Sequence, residues 1–231
     1  MTSMATLLCR KRPYYIVEHS KRAIMKRKTF DAFTKANAQV VDEIRKTAWT
    51  LHESVGQTYD GNLPYGHHLS MVADAALKYG FEVVENESDI IPVVFAAYFH
   101  DSIEDARLTY NDVISIAGRF MTSHQAVTAA EVVYALTNDK GRTRKERAGE
   151  HYYAGIRETP YAPFIKLCDR LANMTYCFNG TNESNLYMHK VYESEWPHFI
   201  QAITVDHSDN RFALPQGMLM EVEKLFDMTN N

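Results

Sequence analysis

The sequence predicts an all-α protein built as a single domain. Apolar residues recur at helical spacing almost throughout, no stretch alternates convincingly in the manner of a strand, and no internal repeat is evident. With 231 residues, 45% of them apolar, the chain can bury one sizeable core.

The elements follow in order. Phe33, Ala36, Val40, Ile44, Ala48 and Leu51 form one stripe, predicting a helix over about residues 30–54. QTYDGNLPYG is rich in turn formers and reads as a loop. Leu69, Val72, Ala76 and Tyr79 mark the next helix, and Gly80 suits its stop. Ser88 and Asp89 precede Pro92, a good first-turn residue, so VVFAAYFHDS reads as a short, buried helix. Its apolar run alone would also fit a strand; the helical neighbours on both sides favour helix. Thr109 and Asp112 form a capping pair for a helix through Ile116 to Phe120, and Ser123 opens another through Leu136. TNDKGRTRKER is a polar turn leading into a basic helix start, and Pro160 and Pro163 flank a break. FIKLCDRLANMTYCF is amphipathic, with Phe164, Leu167, Leu171, Met174 and Phe178 on one side. A helix over about Glu183–Ile203 should be kinked or split by Pro197, and a last short one follows Pro215.

Charge is unevenly spread. Residues 1–35 hold nine Lys or Arg against Glu18 and Asp31, a net +7, so the remainder carries −11 of the overall −4. We read residues 1–29 as a basic extension and 30–231 as the folded domain with its C-terminal helices. Such an arm can bind nucleic acid, an acidic partner or an anionic surface, or do nothing specific. Met25 opens MKRKTFDAF, which would serve as the start of a shorter chain. Cys9, Cys168 and Cys177 lack metal-type spacing and are too few for a disulfide framework, so a reducing, cytoplasmic setting is expected. No apolar run approaches the roughly 18 residues that span a bilayer, and no signal-peptide pattern is visible. No membrane partner is expected, nor a nucleic acid; the oligomeric state is not legible.

Chemistry concentrates in YFHDSIED. His100 and Asp101 are followed four residues on by Glu104 and Asp105, a helical spacing that places an acid near each of the first pair. A divalent metal needs more than two ligands. His68, in PYGHHL, and Asp169, in KLCDRLAN, are the candidates. Two imidazoles and two carboxylates, without thiolate, suit Mn²⁺, Fe²⁺ or catalytic Zn²⁺ better than structural zinc. Asp169 lies on a largely apolar helix, where a lone carboxylate is costly. A metal would neutralise it, and so would Lys166 or Arg170. His67 could replace His68 at the metal, although the spacing from Pro64 and Tyr65 favours His68. Cys168 has no base beside it to activate it as a nucleophile.

The order PY-x-x-H (Pro64, Tyr65, His68), HD-x-x-ED (His100, Asp101, Glu104, Asp105) and K-L-x-D-R-x-x-N (Lys166, Leu167, Asp169, Arg170, Asn173) resembles the HD-domain hydrolases of the RelA/SpoT alarmone family, most of all the small stand-alone ones. TND and KGRTRKER, from Thr137 to Arg147, resemble the family's intervening segment, and the match covers roughly residues 36–180. Three motifs in the right order are far more specific than HD alone. The resemblance implies an HD-domain helical fold. It implies one metal, usually Mn²⁺, on His68, His100, Asp101 and Asp169, with Zn²⁺ or Fe²⁺ as alternatives. It makes Glu104 and Asp105 the catalytic acids. The reaction would be removal of the 3′-pyrophosphate of (p)ppGpp to give GDP or GTP.

The residue chemistry agrees. A divalent metal acidifies water and polarises phosphoryl oxygens, and a nearby carboxylate can take the water proton. Lys140, Arg142, Arg144, Lys145 and Arg147 form a cluster able to hold phosphates, or alternatively a solvated helix face. Asn173, one turn after Asp169, is placed to hydrogen-bond a ribose hydroxyl. Family members commonly carry Arg or Lys in the loop before PY-x-x-H. This loop, QTYDGNL, has Gln57 and Tyr59 instead, and Tyr59 is the candidate to stack on a base. An adenine alarmone, a nucleoside monophosphate or a cyclic nucleotide is therefore an alternative substrate. A non-catalytic protein acting by contact through the basic arm is an alternative of a different class.

Overall fold

The run that could have been a strand is a helix, and the domain is organised around it. In a computed structural model of the chain, which describes residues 25–228, Ile90–Phe99 is helical and all ten of its residues are buried. A helix apolar on every side needs neighbours all round. Taken in chain order, the elements before it are α1 (Arg27–Ala36) and α2 (Ala38–Ser54), then β1 (Thr58–Tyr59) and β2 (Leu63–Pro64), then α3 (Gly66–Tyr79), with Ile90–Phe99 as α4. After it come α5 (Tyr110–Ala117), α6 (Ser123–Leu136), α7 (Arg144–Arg147), α8 (Glu150–Glu158), α9 (Ala162–Asn179), α10 (Glu183–Ile203) and α11 (Gln216–Met228). α4 packs against α2, α3, α6 and α9, α3 lies along α9, and α10 covers the far side of α9. Phe95 and Phe99 stack face to face within the core, their centroids 4.1 Å apart.

Three differences from the sequence reading have local causes. The helix over 30–54 is two helices, broken at Asn37, whose side-chain amide donates to the Phe33 carbonyl at 2.9 Å. A side chain that bonds its own backbone offers the chain an alternative to continuing the helix. The loop QTYDGNLPYG contains a small antiparallel hairpin, Thr58 opposite Pro64 and Tyr59 opposite Leu63, turned by Asp60 and Gly61 at φ of +50° and +72°. α8 was not foreseen; only Tyr152, Tyr153 and Ile156 of its nine residues are buried, too few to make a stripe.

The capping pair Thr109–Asp112 forms as a full box, although α5 ends at Ala117, short of Phe120. α6 carries a second box, from Thr122 and Gln125. Pro197 lies inside an uninterrupted α10. The start of α9 is pinned by Tyr161, a buried residue at φ +69°. Its hydroxyl donates to Asp89 at 2.7 Å and its amide to the Arg211 carbonyl at 2.6 Å. A bulky residue persists in that strained region only where its surroundings over-determine it. Most of the basic extension lies outside the described residues; α1 begins at Arg27, and Met25 already packs into the core.

Candidate metal centre

Three helices deliver the polar groups. His68 comes from the first turns of α3, His100 caps the C-terminus of α4, and Asp169 sits mid-way along α9. The Nε2 atoms of His68 and His100 are 3.3 Å apart. Asp169 Oδ1 lies 3.4 Å from His68 Nε2 and 3.9 Å from His100 Nε2. Asp101 Oδ2 lies 2.9 Å from His100 Nε2 and 3.7 Å from His68 Nε2. Both imidazoles are buried.

The donor set fits a cation. His100 Nδ1 bonds the Ala97 carbonyl at 2.9 Å; a carbonyl only accepts, so the proton sits on Nδ1 and the Nε2 lone pair is directed at the cluster. Ligand atoms of His68, His100 and Asp169 all lie within 4.8 Å of one another, and these three residues could hold a metal ion. Burial works against a charged His68, yet its bonds to Asp101 and Asp169 outweigh this and push its pKa up to about 9. Two carboxylates around two buried imidazoles thus call for a positive charge, as a proton or as a metal. Burial likewise opposes ionisation of Asp169, but the Lys166 ammonium, 2.9 Å from Oδ2, and His68 hold the carboxyl well below the usual range. The neutralisation by Lys166 anticipated from the sequence is present alongside the cluster. Arg170 instead pairs with Glu195 and lies over the Tyr192 and Phe199 rings.

Around this centre the candidate residues are placed as follows. Glu104 is exposed and Asp105 half-buried, one turn past His100 and Asp101. Burial, and then the Asp101 charge, raise the Asp105 pKa. Tyr59 stacks on His68 itself, with centroids 5.0 Å apart and rings within 12° of parallel, and its hydroxyl donates to Asn173 Oδ1 at 2.9 Å. Asn173 donates in turn to Asp169 Oδ1 at 2.6 Å. Tyr59 and Asn173, read as substrate contacts, are thus joined to the metal-ligand candidates and to each other. Lys140 and Arg142 are exposed on the segment after α6, and the Arg144 side chain lies outside the described residues. His67 is exposed and absent from the cluster, as the spacing favoured. Cys168 is fully buried, and burial pushes its thiol well up, which removes it as a nucleophile.

Three participants were not assigned roles from the sequence. The Tyr65 hydroxyl donates to Asp101 Oδ2 at 2.5 Å. Gln57 Nε2 donates to Asp105 Oδ2 at 3.1 Å, and Asn138 Nδ2 to Glu104 Oε2 at 2.8 Å. Behind Tyr65, His52 stacks at 4.8 Å and 14°, with neither ring nitrogen bonded.

His52 gives a stability prediction. Burial pushes its pKa down to about 4 from an ordinary 6.5. Between these values the unfolded chain binds a proton that the folded chain does not. Stability is therefore fully present above 6.5 and is lost as pH falls toward 4, by on the order of 1–3 kcal/mol. His52→Phe, which keeps the stack, is expected to flatten that part of the profile in urea titrations with chelator present. An unchanged slope would place the proton uptake elsewhere.

A largely helical scaffold with a His–His–Asp cluster that could hold a metal, its two imidazoles buried, is the class that fold and site define. No family model matches the chain. Over 113 residues it is 29% identical to the guanosine-3′,5′-bis(diphosphate) 3′-pyrophosphohydrolase MESH1 of Danio rerio, an alignment covering 48% of this chain and 54% of that protein. The aligned part thus spans about half the length of the curated relative. A solved structure, described as a metazoan ortholog of SpoT that hydrolyzes ppGpp and plays a role in starvation responses, superposes with a TM-score of 0.54 at 18% identity. The match covers 82% of this chain and 95% of that one. At that identity the likeness shows the fold, the HD-type helical domain. Both relatives are described as ppGpp hydrolases, so the resemblance read from the three motifs is borne out.

Proposed function

We propose that the protein is a metal-dependent pyrophosphohydrolase that removes the 3′-pyrophosphate of (p)ppGpp, giving GDP or GTP and pyrophosphate. The observation that carries this is the convergence of His68, His100 and Asp169 beside Asp101, with two further acids one turn on. His68, His100, Asp101 and Asp169 would hold the ion; two imidazoles and two carboxylates without thiolate suit Mn²⁺, with Fe²⁺ or Zn²⁺ as alternatives. Such an ion supplies positive charge to phosphoryl oxygens and acidifies water.

The chain's own groups do the rest. Asp105, its proton affinity raised by burial, is the better placed base to accept the proton of the attacking water. Glu104, exposed, would pass a proton between solvent and the departing ribose 3′-oxygen as water adds to the phosphorus that oxygen leaves. Lys140, Arg142 and Arg144 would neutralise phosphate charge, as phosphoryl transfer requires. In this reading the basic extension precedes the catalytic domain, whose packed part already takes in Met25 and the first turn of α1. The protein works in a cytoplasmic, reducing compartment, where the buried free thiols Cys168 and Cys177 stay reduced. Among the described residues no helix is long and apolar enough to cross a membrane.

Incubating Mn²⁺-, Fe²⁺- and Zn²⁺-loaded protein with a nucleotide panel, read by chromatography, tests base, bond and metal together. Guanosine 3′-pyrophosphates should release pyrophosphate and the 5′-di- or triphosphate. Turnover of an adenine alarmone alone, or release of orthophosphate, would replace the substrate. The absence of any turnover, with activity in cells surviving Asp101→Ala, would replace the enzyme by a binding protein.

A further inference from the structure

The two acids of the proposed reaction are each held by a neutral amide from a distant part of the chain. Gln57, 48 positions before Asp105, donates to its Oδ2. Asn138, 34 positions after Glu104, donates to its Oε2. Both donors sit on anchored backbone. The Gln57 amide bonds the His52 carbonyl at the end of α2, at 3.1 Å. Asn138 lies between Leu136, whose carbonyl accepts from the Tyr152 hydroxyl, and Asp139, whose amide bonds the Arg147 carbonyl at 3.2 Å.

We propose that Gln57 and Asn138 are positioning residues that fix Asp105 and Glu104 relative to the His68–His100–Asp169 cluster. Glu104 is exposed and would otherwise sample several rotamers; ordering such a side chain costs conformational entropy, which a tether formed in the folded state meets before substrate arrives. The chemical type of the donor matters as much as its place. A Lys or Arg at hydrogen-bond distance would stabilise the carboxylate anion and weaken it as a base, whereas an amide orients the oxygen without cancelling its charge. Gln57 is thus given work that the loop's lack of a basic residue makes possible.

The proposal rests on the reading of Glu104 and Asp105 as the reacting acids, and two readouts keep the two questions apart. The first needs no substrate: the side-chain NH₂ resonances of Gln57 and Asn138, assigned by substitution in ¹⁵N spectra. The Gln57 signal should move in Asp105→Ala and the Asn138 signal in Glu104→Ala, each without the other. The second is kinetic. Gln57→Met and Asn138→Ala should lower kcat on the order of 10- to 100-fold while KM and Mn²⁺ affinity stay unchanged. Signals that ignore the acid substitutions, or a raised KM with kcat intact, would overturn the positioning role. If the wild type turns over no nucleotide, the enzymatic reading fails, and the resonances still decide whether the tethers exist.

Discussion

Asp169→Asn is expected to reduce hydrolysis by on the order of 10³-fold or more, because it removes one charged oxygen from the centre while leaving the side chain's shape intact. Oδ1 of Asp169 faces both imidazoles, at 3.4 and 3.9 Å, and Oδ2 faces Lys166. The amide would present either a neutral oxygen or an N–H to His68, and neither supports a divalent cation next to the remaining donors. Two signatures should accompany the loss. Mn²⁺ is expected to raise the melting temperature of the wild type by binding only the folded cluster, and that rise should vanish in the variant. Metal-free stability should fall by only about 1–3 kcal/mol, since the Lys166 ammonium, largely buried, keeps a hydrogen bond but loses its charged partner. Chelation of the wild type should reproduce the activity loss and remove the Mn²⁺-dependent rise in melting temperature, without the further loss of metal-free stability. A variant that keeps both the Mn²⁺ shift and turnover would remove Asp169 from the centre.

The motifs could be read from the sequence because metal chemistry restricts residue type. His and carboxylate at His68, His100, Asp101 and Asp169 are expensive to bury without a purpose, so their occurrence in apolar surroundings stands out. Helices were legible where a stripe or a cap was present: α10 runs Glu183–Ile203 as its pattern indicated, and the Thr109–Asp112 box forms. What escaped were features with no periodic or compositional signature. The break at Asn37 turns on one side-chain bond to Phe33, and the hairpin around Asp60 is two residues wide on each side. Gln57 and Asn138 are ordinary loop residues until the fold brings them to Asp105 and Glu104. Tyr59 was read as an aromatic able to stack on a base, and in the structure its ring already lies parallel to that of His68, one of the ligand candidates. Proximity between segments 48 or 114 positions apart is a tertiary fact that a linear pattern does not encode.

Gly66→Ala is expected to destabilise the domain, and its cause lies outside the cluster. Gly66 opens α3 two residues before His68, and a Cβ there would sit 2.3–2.6 Å from three atoms of the Trp49 indole. Real Cβ atoms do not approach so closely, so either the indole moves or the first turn of α3 does. The indole is held: its Nε1 donates to Ser70 at 3.3 Å, and the Arg45 guanidinium lies over its ring at 5.3 Å. Alanine gains up to about 1 kcal/mol over glycine in helix propensity, but overpacking of this kind costs about 1–3 kcal/mol or more. The net expectation is destabilisation of about 1–2 kcal/mol, together with weakened Mn²⁺ binding because His68 rides on the displaced turn. A double-mutant cycle separates this clash from a backbone effect. In Trp49→Ala the added methyl should cost nothing, and Gly66→Ala should become neutral or stabilising while Mn²⁺ binding recovers. If Gly66→Ala is equally harmful without the indole, the glycine is needed for its backbone, and the close approach to Trp49 is incidental to how α3 presents His68.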